Sequence, residues 1–229
     1  MLVLITGMSG CGKTTASKQL LEDLNSCSGG GSGSWVLLSQ DSFFCGAFVP
    51  FDVALKEGST PIEEPEHVDF EKLKAEVRSK LKQGFSVIVE GHALLSDSEL
   101  SEQADAIVYI KVDPHTCMNR RIARKGRKSA EINTYKQYFT KFVVPAHERN
   151  QLPRINSFPQ VHLNNNKTGL DEEASSRSHP ILQSTPIQFI KDSGSINDNS
   201  KKLYVVDGNK SVRELSDIVL CLIRQLDPK

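Results

Sequence analysis

The sequence lacks an excess of charge of either sign, any C-x-x-C cysteine pair and any long hydrophobic run. Its 28 Lys and Arg residues balance 28 Asp and Glu residues, so no overall positive field favours nucleic acid or an anionic membrane as a partner. The five cysteines are odd in number and indicate reduced intracellular thiols rather than disulfides or a zinc site. The apolar start MLVLIT is too short for a membrane span and has no signal-peptide features. We therefore expect a cytoplasmic protein, with a nuclear location also open.

Short apolar runs alternate with amphipathic stretches along most of the chain. Five runs predict buried parallel strands, at residues 2–6, 35–39, 85–89, 106–112 and 203–206. Periodicity and capping signals predict helices at residues 13–25, 69–83, from 113 onward, 130–149 and 210–226. This order implies an α/β fold, a three-layer sandwich in which helices cover both faces of a five-stranded parallel sheet. Ligands bind such sheets at the carboxyl ends of the strands.

Two polar stretches interrupt this alternation. Residues 26–34 are almost all Ser and Gly, which predicts a flexible surface loop. Residues 164–202 are rich in Ser, Asn, Asp and Pro with one brief apolar patch, which predicts a largely disordered insertion. We interpret residues 1–229 as a single domain that carries these two segments.

The most specific motif follows the first predicted strand. Residues 7–15 read Gly-Met-Ser-Gly-Cys-Gly-Lys-Thr-Thr and fit the P-loop pattern G-x-x-x-x-G-K-S/T between a strand and a helix. The glycines let backbone N–H groups and the helix N-terminus point at the β-phosphate of ATP. Lys13 adds charge for the β- and γ-phosphates, and the Thr14 hydroxyl is suited to ligate Mg²⁺. The ATP-binding residues expected from the motif are Gly7, Ser9, Gly10, Cys11, Gly12, Lys13, Thr14 and Thr15.

Single carboxylates follow two further predicted strands. Glu90 ends the third strand, where it is suited to hold Mg²⁺ directly or through water; an ordinary strand-end carboxylate is the alternative. Asp41 lies just past the second strand, where a carboxylate can accept the proton of an attacking hydroxyl; a turn cap is the alternative. The nearest string to a GTPase N-K-x-D motif, at residues 166–169, lacks the Asp, which argues against a GTPase.

A basic run occupies residues 120–127, Arg-Arg-Ile-Ala-Arg-Lys-Gly-Arg. On a helix, residues four apart share a face, and the run ends in a glycine that can act as a hinge. We predict a small lid that closes arginines onto the transferring phosphate, with Arg121 and Arg124 catalytic and Arg127 binding ATP. A solvated basic surface is the alternative.

Together these motifs resemble the uridine kinase and nicotinamide riboside kinase family of P-loop kinases, over about residues 1–160 and again at the C-terminus. The residues that carry the resemblance, besides the P-loop, are Ser39–Phe44, Pro65–Phe70, Val89–Gly91 and Arg120–Arg124. They are similar to the family's Q-D-S/D-F-F/Y, its P-E/D helix start, its magnesium carboxylate and its arginine lid. The resemblance implies that Asp41 is the catalytic base. It also implies transfer of the γ-phosphate of ATP to the 5′-hydroxyl of a ribonucleoside.

The acceptor side departs from that family in two places. Glu63 stands where the family has an Asp that holds the ribose hydroxyls, and the aromatic residue before it is replaced by Ile62. Only about twenty residues separate Asp69 from Glu90, which leaves no room for the hairpin that reads pyrimidines in uridine kinases. Residues 138–145 resemble the Y-F-x-x-x-V-x-P of the nicotinamide riboside branch, although a stripe of buried aromatic residues is an equal alternative.

We therefore expect an acceptor site that includes Asp41, Phe44, Glu63 and Tyr138, with nicotinamide riboside slightly favoured over uridine or cytidine. The expected partners are ATP, as its Mg²⁺ complex, and a small molecule, without nucleic acid or membrane. Two alternatives stay open. One is a P-loop kinase for another small metabolite, of the pantothenate or sugar-phosphate type. The other is a non-catalytic nucleotide-binding regulatory protein that uses residues 164–202 to contact a partner.

Overall fold

The computed structural model describes residues 1–27, 34–58, 62–124, 128–163, 189–190 and 203–226. Its strands are β1 (Leu2–Thr6), β2 (Trp35–Ser39), β3 (Ser86–Gly91), β4 (Ala106–Lys111), β5 (Gln160–Leu163), β6 (Phe189–Ile190) and β7 (Leu203–Asp207). Within the described residues they form one sheet in the order β2-β3-β1-β4-β7-β5-β6. The strands from β2 to β5 in this order are parallel, and β6 pairs antiparallel with β5 at one edge.

Helices lie between the strands along the chain. They are α1 (Lys13–Cys27), α2 (Phe51–Glu57), α3 (Phe70–Lys82), α4 (Ser98–Gln103), α5 (Pro114–Arg124), α6 (Ser129–Tyr138), α7 (Val144–Asn150), α8 (Leu152–Ser157) and α9 (Val212–Leu226). Short 3₁₀ turns occupy Gln40–Phe43, Pro65–His67 and Leu94–Ser96, and a π-helical turn, Phe139–Val143, joins α6 to α7. A membrane crossing would need a longer and more apolar helix than any found in the described residues.

The sheet is buried on both faces because side chains of a strand point alternately to either side. Val3 and Ile5 of β1 belong to a core that includes residues of α1 and α9. Leu2 and Leu4 belong to a second core, which includes residues of α3. All four side chains are at most 1% exposed. This double burial explains why β1 is a continuous apolar run rather than an alternating one.

The predicted α/β sandwich with a parallel sheet is confirmed, but its count of five strands is wrong. The sheet contains a sixth parallel strand, β5. This strand combines the polar residues Gln160 and His162 with Val161 and Leu163, and only Leu163 is fully buried. Because β5 lies near the sheet edge, it did not need the apolar run by which the central strands were recognised.

Helix boundaries also differ from the sequence predictions. The helical stretch predicted at residues 130–149, with an interruption at Pro145, is divided into α6, the π turn and α7, and Pro145 lies in the first turn of α7, where its missing N–H is tolerated. Three unpredicted helices, α2, α4 and α8, have only six or seven residues, too few for a clear periodicity. Most of the predicted flexible loop, and residues 164–188 and 191–202 of the predicted insertion, lie outside the described residues.

Truncation of a side chain in the central strand β1 tests how much the cores on the two faces of the sheet contribute to stability. We expect Leu4→Ala to lower the free energy of unfolding by about 2–5 kcal/mol, because removal of a buried Leu side chain leaves a cavity that the surrounding residues cannot close completely. Urea denaturation of both proteins measures this loss. Leu226→Ala is the matched control, since Leu226 is 39% exposed and its truncation should change stability by less than about 0.5 kcal/mol. Equal effects of the two substitutions would contradict this description of the core.

Candidate active site

The loop between β1 and α1 is held tightly against the rest of the sheet. A Cβ added to Gly7 would lie 2.6 Å from the carbonyl oxygen of Ile110, and one added to Gly10 would overlap the carbonyl of Cys117 in α5. Gly7 and Gly10 also have φ values of +151° and +94°, which L residues with side chains rarely adopt. The two glycines are therefore required both by backbone conformation and by space.

Lys13 lies at the start of α1 with its ammonium group beside this loop. Nζ donates hydrogen bonds to the carbonyls of Gly7 at 2.9 Å and Met8 at 3.1 Å. The residue is only 8% exposed, so water screens its charge less than it would at the surface. Cys11, also part of the loop, is buried at 1% exposure beneath it.

A set of hard oxygen atoms lies next to the loop. Thr14 Oγ1 is 3.2 Å from both carboxylate oxygens of Glu90, and Ser39 Oγ donates to Glu90 Oε1 at 2.6 Å. The strand register brings them together, because Ser39 of β2 and Ile5 of β1 both pair with Glu90. Glu90 is 3% exposed. One carboxylate and two hydroxyls are the type of oxygen ligand that Mg²⁺ prefers, so the residues fit that metal.

An open cleft lies over the P-loop and has a volume of about 730 Å³ when the solvent space at its mouth is included. It brings together most of the site residues predicted from the sequence. Those residues are Ser9, Gly10, Gly12, Lys13, Thr14, Thr15, Asp41, Glu90, Arg121 and Arg124. Arg127 lies outside the described residues, and the predicted lid hinge lies outside them as well.

Asp41 occupies the 3₁₀ turn that follows β2. Its side chain is exposed and lines the cleft together with Lys13 and Glu90. Its negative charge is one of the influences that raise the pKa of Arg121, and it opposes the burial that lowers the pKa of His92. The turn itself is anchored by Gln40, whose buried side chain accepts the N–H of Ala93 at 2.9 Å. Asp41 therefore presents a carboxylate to the cleft from a fixed backbone.

Arg121 and Arg124 of α5 both line the cleft, but they differ in their surroundings. Arg121 donates from Nε to the Tyr135 hydroxyl at 3.3 Å. Burial lowers the pKa of Arg121, but Tyr135, Glu63 and Asp41 raise it, and the net shift is upward. Arg124 is exposed at the end of the helix and lines the same cleft. Both guanidinium groups thus face a region where phosphate charge can be neutralised.

Arg120 was predicted only as part of the basic run, and the structure gives it a specific contact. Its Nη1 donates to the carbonyl of Cys11 at 3.3 Å and to the carbonyl of Gly208 at 3.0 Å. Arg120 thereby ties the P-loop to the segment that follows β7. Sequence reasoning could not find this role, because the acceptors are backbone carbonyls that no residue type identifies.

Glu63 lies beside the cleft rather than in it. It is 8% exposed, and burial raises the pKa of its carboxyl group, while Arg121 and Lys13 oppose that shift. The adjacent Glu64 accepts hydrogen bonds from Arg149 and, at 2.6 Å, from Asn150. Glu63 lines a small cavity, which we call the side cavity; its polar lining residues are Ser9, Glu63, His92, His147, Asn150 and Gln151.

His92 is a functional candidate that the sequence did not single out. It lines both the cleft and the side cavity, and its Nε2 lies 3.6 Å from Glu63 Oε2. Burial, with a smaller contribution from Lys13, lowers the pKa of His92 to about 4, although Asp41 and a Glu63 backbone contact oppose the shift. The only available sequence signal was its place two residues after Glu90 at a strand end.

The two predicted aromatic residues lie in different surroundings. Phe44 is 36% exposed, and its ring centroid is 5.9 Å from that of His92, so it flanks the site. Tyr138 is 2% exposed and packs in an aromatic cluster, with ring centroids 4.5 Å from Phe51 and 5.4 Å from Phe142. Burial and the nearby charge of Glu63 raise the pKa of Tyr138. The Tyr138 ring therefore lies where a stripe of buried aromatic residues, the alternative interpretation of residues 138–145, would place it.

The two hydrogen bonds by which Arg120 links the carbonyls of Cys11 and Gly208 are here called the Arg120 clamp. Replacement of Arg120 tests whether nucleotide binding by the P-loop depends on this clamp. We expect Arg120→Met to weaken ATP binding by about tenfold to a hundredfold, because two charge-assisted hydrogen bonds to the loop and its neighbour are lost. Titration with a non-hydrolysable ATP analogue and Mg²⁺ measures the dissociation constant. Arg154→Met, at an exposed position of α8, is the matched control and should bind as the wild type does. Unchanged binding by Arg120→Met would exclude the clamp.

The chain is similar to a solved sugar kinase from Janibacter sp. HTCC2649, with 13% identity over 99% of this chain and 95% of that chain and a TM-score of 0.50. It is also similar to a gluconokinase from Sinorhizobium meliloti 1021, with 14% identity over 99% and 93% of the two chains and a TM-score of 0.44. The first likeness supports a shared fold. No curated protein matches the chain in sequence.

The profile of the AAA domain family, AAA_18, matches residues 3–139. This range contains the P-loop, Asp41, Glu90 and the arginines of α5. It covers more than half of the 229 residues. The chain therefore belongs to the AAA domain family AAA_18, a family of P-loop NTPases.

Proposed function

We propose that the chain is a kinase that transfers the γ-phosphate of ATP to a hydroxyl group of a small acceptor molecule. The observation that carries this proposal is the position of Asp41. An exposed carboxylate lines the same cleft as Lys13, Glu90 and two arginines. A nucleotide switch or motor needs a positioned water, whereas a carboxylate facing an open cleft is suited to take the proton of an alcohol.

On the donor side, the proposal assigns the phosphates of ATP to the P-loop. The N–H groups at the start of α1 and the ammonium of Lys13 would bind the β- and γ-phosphates. Thr14 and Glu90, which touch at 3.2 Å, would hold Mg²⁺, which neutralises charge on the phosphate oxygens. Arg121 and Arg124 would stabilise the charge that spreads over the transferring group.

On the acceptor side, Asp41 would act as the base. The acceptor oxygen attacks the γ-phosphorus, the bond from that phosphorus to the bridging oxygen breaks, and ADP leaves. The hydroxyl proton passes to Asp41, so the charges on both sides of the reaction balance. Catalysis then depends mainly on positioning and on electrostatic stabilisation, since phosphoryl transfer requires little covalent participation by the protein.

For the acceptor, we propose a ribonucleoside phosphorylated at its 5′-hydroxyl, with nicotinamide riboside ahead of uridine and cytidine. Support comes from the motif at Ser39–Phe44 and from the buried carboxylate of Glu63 beside the cleft. A kinase for another small metabolite, of the pantothenate or sugar-phosphate type, is the alternative with the same donor chemistry. The proposal includes a cytoplasmic location and no nucleic-acid partner.

Replacement of the proposed base tests the reaction type. We expect Asp41→Asn to lower kcat by at least about a hundredfold, because loss of a positioned general base costs roughly 10²–10⁴ in rate. Release of ADP in the presence of Mg²⁺ and a panel of acceptors measures kcat, and titration with ATP alone should give an unchanged dissociation constant. Asp52→Asn is the matched control, because Asp52 is an exposed carboxylate on α2 and should leave both quantities unchanged. Near-normal turnover by Asp41→Asn would rule out this residue as the base.

A further inference from the structure

The side chain of Arg121 lies against the P-loop. A Cβ added to Gly10 would lie 2.8 Å from Cγ of Arg121, so the aliphatic part of the arginine packs on the backbone of the loop. Arg121 also lines the cleft together with Lys13 and Asp41. Contact with the loop fixes the side chain only as far as Cγ, and the torsions beyond Cγ decide where the guanidinium group lies.

The hydroxyl of Tyr135 gives Arg121 a second point of attachment. Nε of Arg121 donates a hydrogen bond to this hydroxyl at 3.3 Å. The bond uses the inner nitrogen of the guanidinium group, and the two terminal amino groups make no hydrogen bond within the described residues. Terminal amino groups of this kind can bind two oxygens of one phosphate. Arg121 is therefore tied by one nitrogen and keeps two donors for a ligand.

Tyr135 is held in place by the aromatic residues around it. It is 1% exposed, and its ring centroid lies 5.1 Å from that of Phe51 in α2. The centroids of Tyr138 and Phe139 lie 6.2 Å and 6.1 Å away. A ring that is closely packed has little freedom to change its rotamer. The hydroxyl of Tyr135 is therefore a fixed acceptor for Arg121.

Arg121 needs a fixed partner because two carboxylates attract it. Burial lowers the pKa of Arg121, but nearby groups raise it, and the charges of Glu63 and Asp41 are among them. The guanidinium group is nevertheless hydrogen-bonded to Tyr135 rather than to either carboxylate. An arginine that paired with a carboxylate would use the same amino groups that bind phosphate. Such a pair would also occupy the carboxylate of Asp41 that the proposed reaction needs.

We propose that Tyr135 is a positioning residue for phosphoryl transfer, whose hydroxyl holds Arg121 over the P-loop and keeps its two terminal amino groups available to the transferring group. This inference rests on the proposed kinase function, in which Arg121 stabilises charge on that group. Tyr135 is not among the residues that line the cleft. It therefore acts through Arg121 and does not contact the substrates.

The first arm of the test removes the hydroxyl and keeps the aromatic ring. ADP release by Tyr135→Phe is measured with ATP, Mg²⁺ and the acceptor that the wild type uses best. We expect kcat to fall about tenfold while the KM for ATP changes by less than about twofold, because the lost contact serves the transition state rather than the binding of ATP. Tyr204→Phe is the matched control, since Tyr204 is a buried tyrosine of β7 that does not line the cleft, and it should behave as the wild type.

The second arm separates positioning from packing by a double-mutant cycle. Arg121→Gln alone should lower kcat strongly, because the guanidinium group is lost. In the Arg121→Gln protein, the further change Tyr135→Phe should alter kcat by less than about twofold, because the hydroxyl then has no guanidinium group to position. A tyrosine that only packs would affect both proteins equally.

The third arm does not depend on turnover or on the identity of the acceptor. Aluminium fluoride bound beside ADP and Mg²⁺ takes the place of the transferring phosphoryl group. The wild type should bind ADP with aluminium fluoride more tightly than ADP alone. Tyr135→Phe should weaken the binding of ADP with aluminium fluoride by about tenfold and leave the dissociation constant of ADP unchanged, because Arg121 serves only the transferring group.

The outcomes that overturn this inference differ from the one that overturns kinase function. Near-normal kcat in Tyr135→Phe, an equal loss of kcat in both arms of the cycle, or equal weakening of ADP with and without aluminium fluoride would each show that Tyr135 does not position Arg121. Equal binding of the two complexes by the wild type would also overturn it. If the wild type releases no ADP with any acceptor, the proposed function fails, and the aluminium fluoride titration still decides whether Tyr135 places Arg121.

Discussion

The buried carboxylate of Glu90 is the constraint on which the site depends. A charge at 3% exposure is costly unless nearby groups compensate it, and its contacts are the hydroxyls of Thr14 and Ser39. These hydroxyls come from α1 and β2, so the carboxylate can be satisfied only when β1, β2 and β3 are in register. The same register brings the P-loop and the turn that carries Asp41 to one edge of the sheet. A bound magnesium ion would further stabilise the buried carboxylate of Glu90, whose hydrogen bonds to the two hydroxyls offset only part of the cost of burial.

Much of the donor side could be predicted from the sequence because it depends on local geometry. A P-loop is a strand, a turn and a helix in succession, and the strand Leu2–Thr6 had the predicted bounds. Glu90 and Asp41 could be assigned to the same edge because each follows a strand of a parallel sheet. The sixth parallel strand, β5, could not be recognised, since its edge position permits polar residues such as Gln160 and His162.

The remainder of the site arises from contacts between residues that are distant in the chain. Arg120 reaches two carbonyls, one of them 88 residues away, and a carbonyl carries no sequence signature. His92 acquires its hydrogen-bonding role from Gln40, 52 residues earlier, and faces a cavity closed by Gln151 of the segment after α7. Such relationships depend on tertiary packing, which explains why the sequence predicted phosphate transfer more firmly than it predicted the acceptor.

The central claim is that the cleft transfers phosphate from ATP to an alcohol. The most direct measurement is ³¹P NMR of the wild-type protein with ATP, Mg²⁺ and, in separate samples, nicotinamide riboside, uridine, cytidine, pantothenate and a neutral sugar. The account predicts a new phosphate monoester signal that grows with ADP in at least one sample and that requires both the acceptor and Mg²⁺. ATP that stays intact in every sample, or is hydrolysed to inorganic phosphate regardless of acceptor, would contradict the account.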